Sequence, residues 1–244
     1  MDENQLVFGR NPVEELLLHD PDKVEKIYLR DNAGGGLGKI IALASENRIP
    51  LQRVPGKKLF ELAGAVNDQG VVAQVSMVSY MELEDWLLQV SVATNPVVLV
   101  MDEIEDVSNF GAILRTAAAA GVQAVIVPKH RQAPVNATVF KTSAGTAGRI
   151  PIIRVTNTNQ SLQKLKDAGF WVAGLDQHAE TPLWKQNLIL PLAVIVGSEG
   201  KGIRRKTLEH CDFTVSLPMA NRVESLNASV SAALLCYEIV RQRQ

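Results

Sequence analysis

From Val97 to the C-terminus the chain repeats one pattern, a short run of apolar and β-branched residues followed by a segment with helical spacing. Strands are predicted at 97–101, 123–127, 170–174, 192–196 and 212–217, and helices near 110–120, 135–144, 159–168, 204–210 and 226–241. Parallel strands need long crossover connections, which helices supply, so the alternation predicts an α/β fold with a mostly parallel sheet covered on both faces. Such sheets bind ligands beyond the carboxyl ends of their strands. Chemistry is therefore expected in the loops that follow strands.

The first eighty residues alternate less regularly. Asn11-Pro12 followed by Val13, Leu16 and Leu17 reads as a helix start with Asn11 as N-cap. Short strands at 26–29, 50–54 and 70–78 and helices at 37–44 and 58–63 complete a small α/β domain of residues 1–78. Glu82, Glu84 and Asp85 crowd the start of a short helix at Trp86-Leu87-Leu88, which Thr94-Asn95-Pro96 ends, so 79–95 reads as a linker and 96–244 as the second domain.

Apolar runs such as 96–101 and 190–196 are strand-sized, far below the roughly 20 residues of a membrane span. Met1-Asp2-Glu3-Asn4 lacks the basic start and apolar stretch of a secretory signal, so a reducing cytoplasm is the expected location. Cys211 and Cys236 stand alone, and His19, His130, His178 and His210 lie apart, so no metal site is expected. The formal charge of −1 argues against nucleic acid only until it is divided. Residues 1–80 hold nine Lys or Arg and eleven Asp or Glu, 81–95 none and three, and 96–244 sixteen and twelve. The second domain is thus basic by +4, with cations bunched at Lys129, Arg131, Lys141 and Arg149 and at Lys201, Arg204, Arg205, Lys206 and Arg222, an arrangement able to hold phosphates.

Several motifs fail on position. Residues 33–40 (AGGGLGKI) begin with Ala33 where a phosphate-binding loop has glycine, and Ile40 after Lys39 offers no hydroxyl. Gly197, Gly200 and Gly202 are spaced GxxGxG, which is not the dinucleotide fingerprint, and no serine sits in GxSxG.

Three segments remain, each after a predicted strand. In 102–117, Asn109 is placed to cap the following helix, and Arg115, about two turns in, either pairs with the acidic run Asp102 to Asp106 or serves a site. In 194–203, three glycines and Glu199 follow a buried strand, where glycine lets backbone approach a ligand closely. In 215–230, a strand, Leu217-Pro218 and a loop lead to the last helix, which Ser225 or Asn227 is placed to cap. Leu226, Val230, Leu234, Tyr237 and Val240 recur along that helix at core-facing spacing.

Together, in this order and spacing, the three segments closely resemble the signature motifs of the SpoU (TrmH-type) branch of the SPOUT RNA 2′-O-ribose methyltransferases. The resemblance rests on Asn109, Gly111 and Arg115, on Gly197, Ser198, Glu199, Gly200 and Gly202, and on Leu217, Pro218, Ser225, Leu226, Asn227 and Ser229. It extends through 8–13, 67–73 and 141–147, and within the family it is nearest the bacterial subgroup that methylates a guanosine ribose in the peptidyl-transferase region of 23S ribosomal RNA. The resemblance implies a ribosomal-protein-like N-terminal RNA-binding domain and a homodimeric C-terminal α/β domain tied in a deep trefoil knot. It implies S-adenosylmethionine as cofactor, held by Gly197, Leu217 and Leu226 with help near Gly174 and Leu175, and 23S ribosomal RNA as partner. The terminal helix is then part of the dimer interface.

The same resemblance implies Arg115 as the group that activates the ribose hydroxyl, with Asn109, Glu199 and Asn227 orienting it or the ribose. A guanidinium offers only donors and keeps its proton below a pH of about 12, so an equal alternative has Arg115 grip the adjacent phosphate and steady oxyanion charge. Transfer RNA or another ribosomal nucleotide as substrate stays open, as does a non-catalytic RNA-binding role in ribosome assembly. An oxidoreductase is disfavoured by the missing fingerprint.

Overall fold

The computed structural model describes residues 5–31, 36–64, 67–76, 78–221 and 224–244. Residues 1–4, Arg222 and the start of the 33–40 segment lie outside the described residues. The chain forms two compact units, residues 1–79 with 134–137, and 80–133 with 138–244.

Unit 1 contains β1 (Gln5–Phe8), α1 (Arg10–His19), β2 (Val24–Arg30), α2 (Gly38–Glu46), β3 (Leu51–Val54), α3 (Gly56–Ala63) and β4 (Val71–Val75). The sheet order is β1-β4-β2-β3, with β2 and β3 parallel and the other pairs antiparallel. One face carries the main core, where Val13 and Leu17 of α1 and Ile40 and Ala44 of α2 pack with Ile27, Leu29, Val71 and Ala73. The other face holds a smaller cluster of Val54, Leu59 and Val72 beneath α3. Helix α1 begins at Arg10 with Gly9 in the cap position and no side-chain cap, so Asn11 is inside its first turn. Pro12 is tolerated there because the first N–H groups of a helix have no intrahelical acceptor.

Unit 2 contains α4 (Leu83–Leu87), β5 (Val97–Asp102), α5 (Val107–Ala119), β6 (Ala124–Pro128), α6 (Ala137–Thr142), β7 (Ile152–Val155), α7 (Thr158–Asp167), β8 (Trp171–Leu175), β9 (Leu192–Gly197), α8 (Arg205–Leu208), β10 (Phe213–Val215) and α9 (Ala228–Arg243). All six strands are parallel, in the order β10-β8-β9-β5-β6-β7. Both faces are buried, as the unbroken apolar strands require. Val98 and Val100 of β5 join a cluster with Leu162 and Leu165 of α7, while Leu99 and Met101, also buried, alternate to the opposite face. From β5 the chain builds outward through β6 to β7, then crosses to β8, β9 and β10, so the strand order reverses between β5 and β9. Their last residues, Asp102 and Gly197, pair side by side at that reversal.

The segment expected as a linker belongs to unit 2 from Tyr80 onward. Leu83 and Trp86 are buried in the α7-side core, and the Trp86 ring lies 5.7 Å from that of Phe170. Truncating a buried tryptophan costs about 3–5 kcal/mol, enough to hold a five-residue helix in place. Lys164 of α7 pairs with Glu84 and lowers the pKa of that carboxyl, so the acidic cluster also has a docking role. Among the described residues, no helix is long and apolar enough to cross a membrane.

Candidate active site

A pocket opens at the carboxyl ends of β8 and β9, next to the reversal of strand order, where open α/β sheets bind ligands. Its apolar walls include Leu175, Val196, Ile203, Leu217 and Leu226, and Glu199, Asp176 and His178 add polar side chains. Gly197, Leu217 and Leu226, expected from sequence as cofactor contacts, thus line one cavity with Leu175. Asp176 and His178 were missed, since nothing marks them in sequence beyond their place after β8. Apolar walls suit the faces of an adenine ring, and loop backbone groups suit its edges.

The glycines shape this wall by close approach. A Cβ on Gly197 would stand 2.1–2.2 Å from backbone atoms of Gly202 and Ile203, so only glycine permits the loop to fold back on the strand end. Gly202 has φ 64° and donates its N–H to the Ser198 carbonyl at 2.9 Å, closing the turn.

Arg204 anchors the exit of that loop. Its backbone N–H and its Nε each donate to the buried Asp102 carboxylate at 2.9 Å, and its Nη1 lies 3.1 Å from Glu103. The hydrogen bond to Asp102 raises the Arg204 pKa above the usual value. Two sequence readings are corrected here. The cations that pair with the acidic run are Arg204 and, through Glu103, Arg131, not Arg115, and Arg204 is committed to the fold rather than free for phosphate. Lys141, Arg149, Lys201 and Lys206 are exposed and make no ion pair among the described residues.

Glu199 is where the three segments meet. Asn109 Nδ2 donates to one carboxylate oxygen at 3.1 Å and Asn227 Nδ2 to the other at 3.3 Å. Asn109 is not the helix cap expected from sequence. Helix α5 begins earlier, and the Asp106 carboxylate caps it by accepting the Asn109 N–H at 2.7 Å. The Asn109 side chain is therefore left to reach Glu199. Asn227 does cap α9, accepting the Ser229 N–H at 2.9 Å through Oδ1 while its Nδ2 serves Glu199. One amide thus fixes both the helix start and the carboxylate.

Arg115 is not in this constellation. It is exposed on α5, makes no hydrogen bond or ion pair among the described residues, and does not line the pocket. Six positions separate it from Asn109, which turns it about 120° around the helix. It shares a face with Ala112, which borders a groove completed by Thr116, Trp184, Val230, Leu234 and Tyr237. Val230, Leu234 and Tyr237 are exposed, whereas Ala232, Leu235 and Ile239 face the core, so the stripe expected to be internal is a surface.

Neither thiol is poised for nucleophilic chemistry, since burial pushes Cys211 and Cys236 up to about 12. Among the described residues, no cluster of His, Cys, Asp and Glu could hold a metal ion.

A family model described as the SpoU rRNA Methylase family matches residues 96–237, and one described as RNA 2'-O ribose methyltransferase substrate binding matches residues 6–81. The 23S rRNA (guanosine-2'-O-)-methyltransferase RlmB of Pseudomonas putida is 42% identical, covering 100% of this chain and 99% of its own. The putative TrmH family tRNA/rRNA methyltransferase YacO of Bacillus subtilis is also 42% identical, covering 99% of this chain and 97% of its own. Among solved structures, the SpoU methyltransferase AviRb from Streptomyces viridochromogenes, in complex with the cofactor AdoMet, shares the fold with a TM-score of 0.62. It is 24% identical, with 98% of this chain and 90% of that chain covered.

Proposed function

The chain belongs to the SpoU rRNA methylase family, and from that membership we propose that it transfers a methyl group from S-adenosylmethionine to the ribose 2′-OH of a guanosine in 23S ribosomal RNA. The observation that carries the reading is the convergence of Asn109, Glu199 and Asn227 beside an apolar pocket bounded by Gly197, Leu217 and Leu226. Relatives named as 23S rRNA guanosine 2'-O-methyltransferases, similar over the full chain, support the substrate.

S-adenosylmethionine, when bound, supplies an activated methyl on a sulfonium. Leu217 and Leu226 would hold its adenine, and Gly197 keeps the wall free of a side chain that would displace the loop. Displacement at a methyl carbon needs the attacking oxygen in line with the leaving group, so positioning supplies much of the rate. Glu199, held on both oxygens by amide donors, keeps lone pairs free to accept a hydrogen bond from the ribose hydroxyl and orient it. Arg115 offers only donors, and its role is to grip the neighbouring phosphate and stabilise charge developing on the ribose oxygen, whose proton passes to solvent.

A homodimer is part of the proposal, formed over the groove of Trp184, Val230, Leu234 and Tyr237, which borders the α5 face that bears Arg115. Contiguous exposed apolar side chains of this kind mark association surfaces. A trefoil knot in the cofactor-binding loops and a cytoplasmic location, suited to two free thiols, complete the proposal. The same chemistry on transfer RNA is the second reading, favoured by the tRNA/rRNA naming of the Bacillus subtilis relative.

The test combines calorimetric titration with S-adenosylmethionine and methyl transfer to unmodified 23S and transfer RNA transcripts. Cofactor binding, and product on 23S RNA alone, are expected. Arg115→Ala is expected to abolish turnover while leaving cofactor affinity largely intact. Near-normal methylation by that variant would remove Arg115 from the mechanism.

A further inference from the structure

Unit 1 places its aromatic residues in an unusual way. Residues 1–79 contain three, Phe8, Tyr28 and Phe60, and none joins the main core against α1 and α2, which is wholly aliphatic. Large aromatic side chains normally dominate a core. All three instead lie on the α3-bearing side. Phe8 and Tyr28 both pair in register with Val72, whose side chain packs under α3, so strand alternation turns them to that face. Phe60 lies on α3 itself and is 58% exposed, and Phe8 is 36% exposed.

The charge on this side is complementary to a polyanion. Lys26 and Arg30 alternate with Tyr28 along β2, and Lys57 lies one turn before Phe60 on the same helix face. Lys26 Nζ sits 5.1 Å from the Tyr28 ring centre, and the Tyr28 hydroxyl donates to Gln74 at 3.2 Å, which fixes that ring between a cation and an amide. Arg30 is tied to the fold, its Nη2 donating to both oxygens of the buried Asp68 carboxylate at 2.9 and 3.0 Å. On α3, Glu61 is the one carboxylate, and it is 3.6 Å from Lys58, leaving Lys57 outside that pair. The α1 and α2 side carries Glu14, Glu15 and Glu46, with Glu14 paired to Lys39.

We propose that the α3-bearing face of unit 1 is a single-stranded RNA platform, on which Phe8 and Phe60 stack unpaired bases while Lys26 and Lys57 hold the flanking phosphates. The inference rests on the RNA substrate proposed above and assigns the surface that selects it. Single strands are recognised by this combination of aromatic faces and backbone-tracking cations, and every base has a face to stack. The platform gives an otherwise slightly acidic domain a local route to RNA.

The experiment uses the full chain with an unmodified 23S RNA transcript. Phe8→Ala and Phe60→Ala are each expected to bind the transcript roughly 5- to 150-fold more weakly. KM for RNA should rise with kcat and S-adenosylmethionine affinity unchanged, while Phe8→Trp and Phe60→Trp retain binding. Leu18→Ala, an exposed apolar site on α1, serves as the control and should bind as the parent does. Folded alanine variants with unchanged KM on a transcript that the parent methylates would overturn the platform alone. Loss of binding by these variants to a transcript that the parent binds but does not methylate would support the platform and remove the proposed reaction. Unchanged binding to naked RNA with lost association to ribosomal precursor particles would assign the face to a protein partner and overturn the proposal.

Discussion

Asn227 does two things with one side chain, and a substitution can separate them. Its Oδ1 caps α9 and its Nδ2 holds Glu199. Asn227→Ala loses both, and should lower stability by about 1 kcal/mol, typical of a lost N-cap. Asn227→Ser restores an oxygen of the right kind for the cap but is too short to replace the amide donor to Glu199. Chemical denaturation should therefore show Asn227→Ser near parental stability. Its kcat should nonetheless fall by roughly 10- to 100-fold, since misplacing a positioned group costs on that order. Equal turnover in Asn227→Ser and the parent would mean that Glu199 needs no second amide. At this scale the structure brings Asn109, Glu199 and Asn227 into one cluster and leaves Arg115 outside it, and of the two caps read from sequence that of Asn227 is formed and that of Asn109 is not. Whether Asn109 caps a helix depends on where the helix begins, and Asp106, three residues earlier, took that role. Asp102 and Arg204, 102 residues apart in sequence, carried no local signal of their pairing.

Among the elements, the loop between β9 and α8 is the most demanding. Gly197→Ala would drive a methyl into the Gly202 backbone, with nothing flexible to give way, so the loop must leave its position. The expected outcome is loss of S-adenosylmethionine binding by more than about 100-fold, while the parallel sheet, buried on both faces, keeps the unit folded. Titration calorimetry and circular dichroism on the same sample check both halves, and retained cofactor affinity would show that the loop is not the pocket wall that matters. The long apolar strands around this loop were legible because burial on both faces leaves an unbroken run. β1 and β7, of four residues each, were not read from the sequence, although the equally short β3 was. α4 was legible as a helix but not as part of a core, because the partner of Trp86, Phe170, comes from a distant segment.

For the whole molecule, the formal charge of −1 proves a poor guide, and even the +4 of the second domain needs discounting. Arg204 is tied to Asp102, Lys166 to Asp212 and Arg241 to Glu238, and these cations serve the fold. The charge available to a polyanion is what remains exposed and unpaired, as at Lys141, Arg149, Lys201 and Lys206. The terminal helix shows a similar limit of sequence reading, since helical spacing of Val230, Leu234 and Tyr237 is the same whether the stripe meets a core or a second copy. Leu234→Asp, placed on the exposed side of α9, should convert a dimer to a monomer in light scattering and lower methylation with it. A parent protein that is monomeric at working concentration would contradict the dimer.

The central proposal is ribose methylation of 23S RNA, and the most direct measurement is a nucleotide-resolution map of 2′-O-methylation in large-subunit RNA from cells with and without this protein. Loss of methylation at a single guanosine, restored by the parent gene and not by Arg115→Ala, is the expected result. Identical maps in the two cell lines would contradict it.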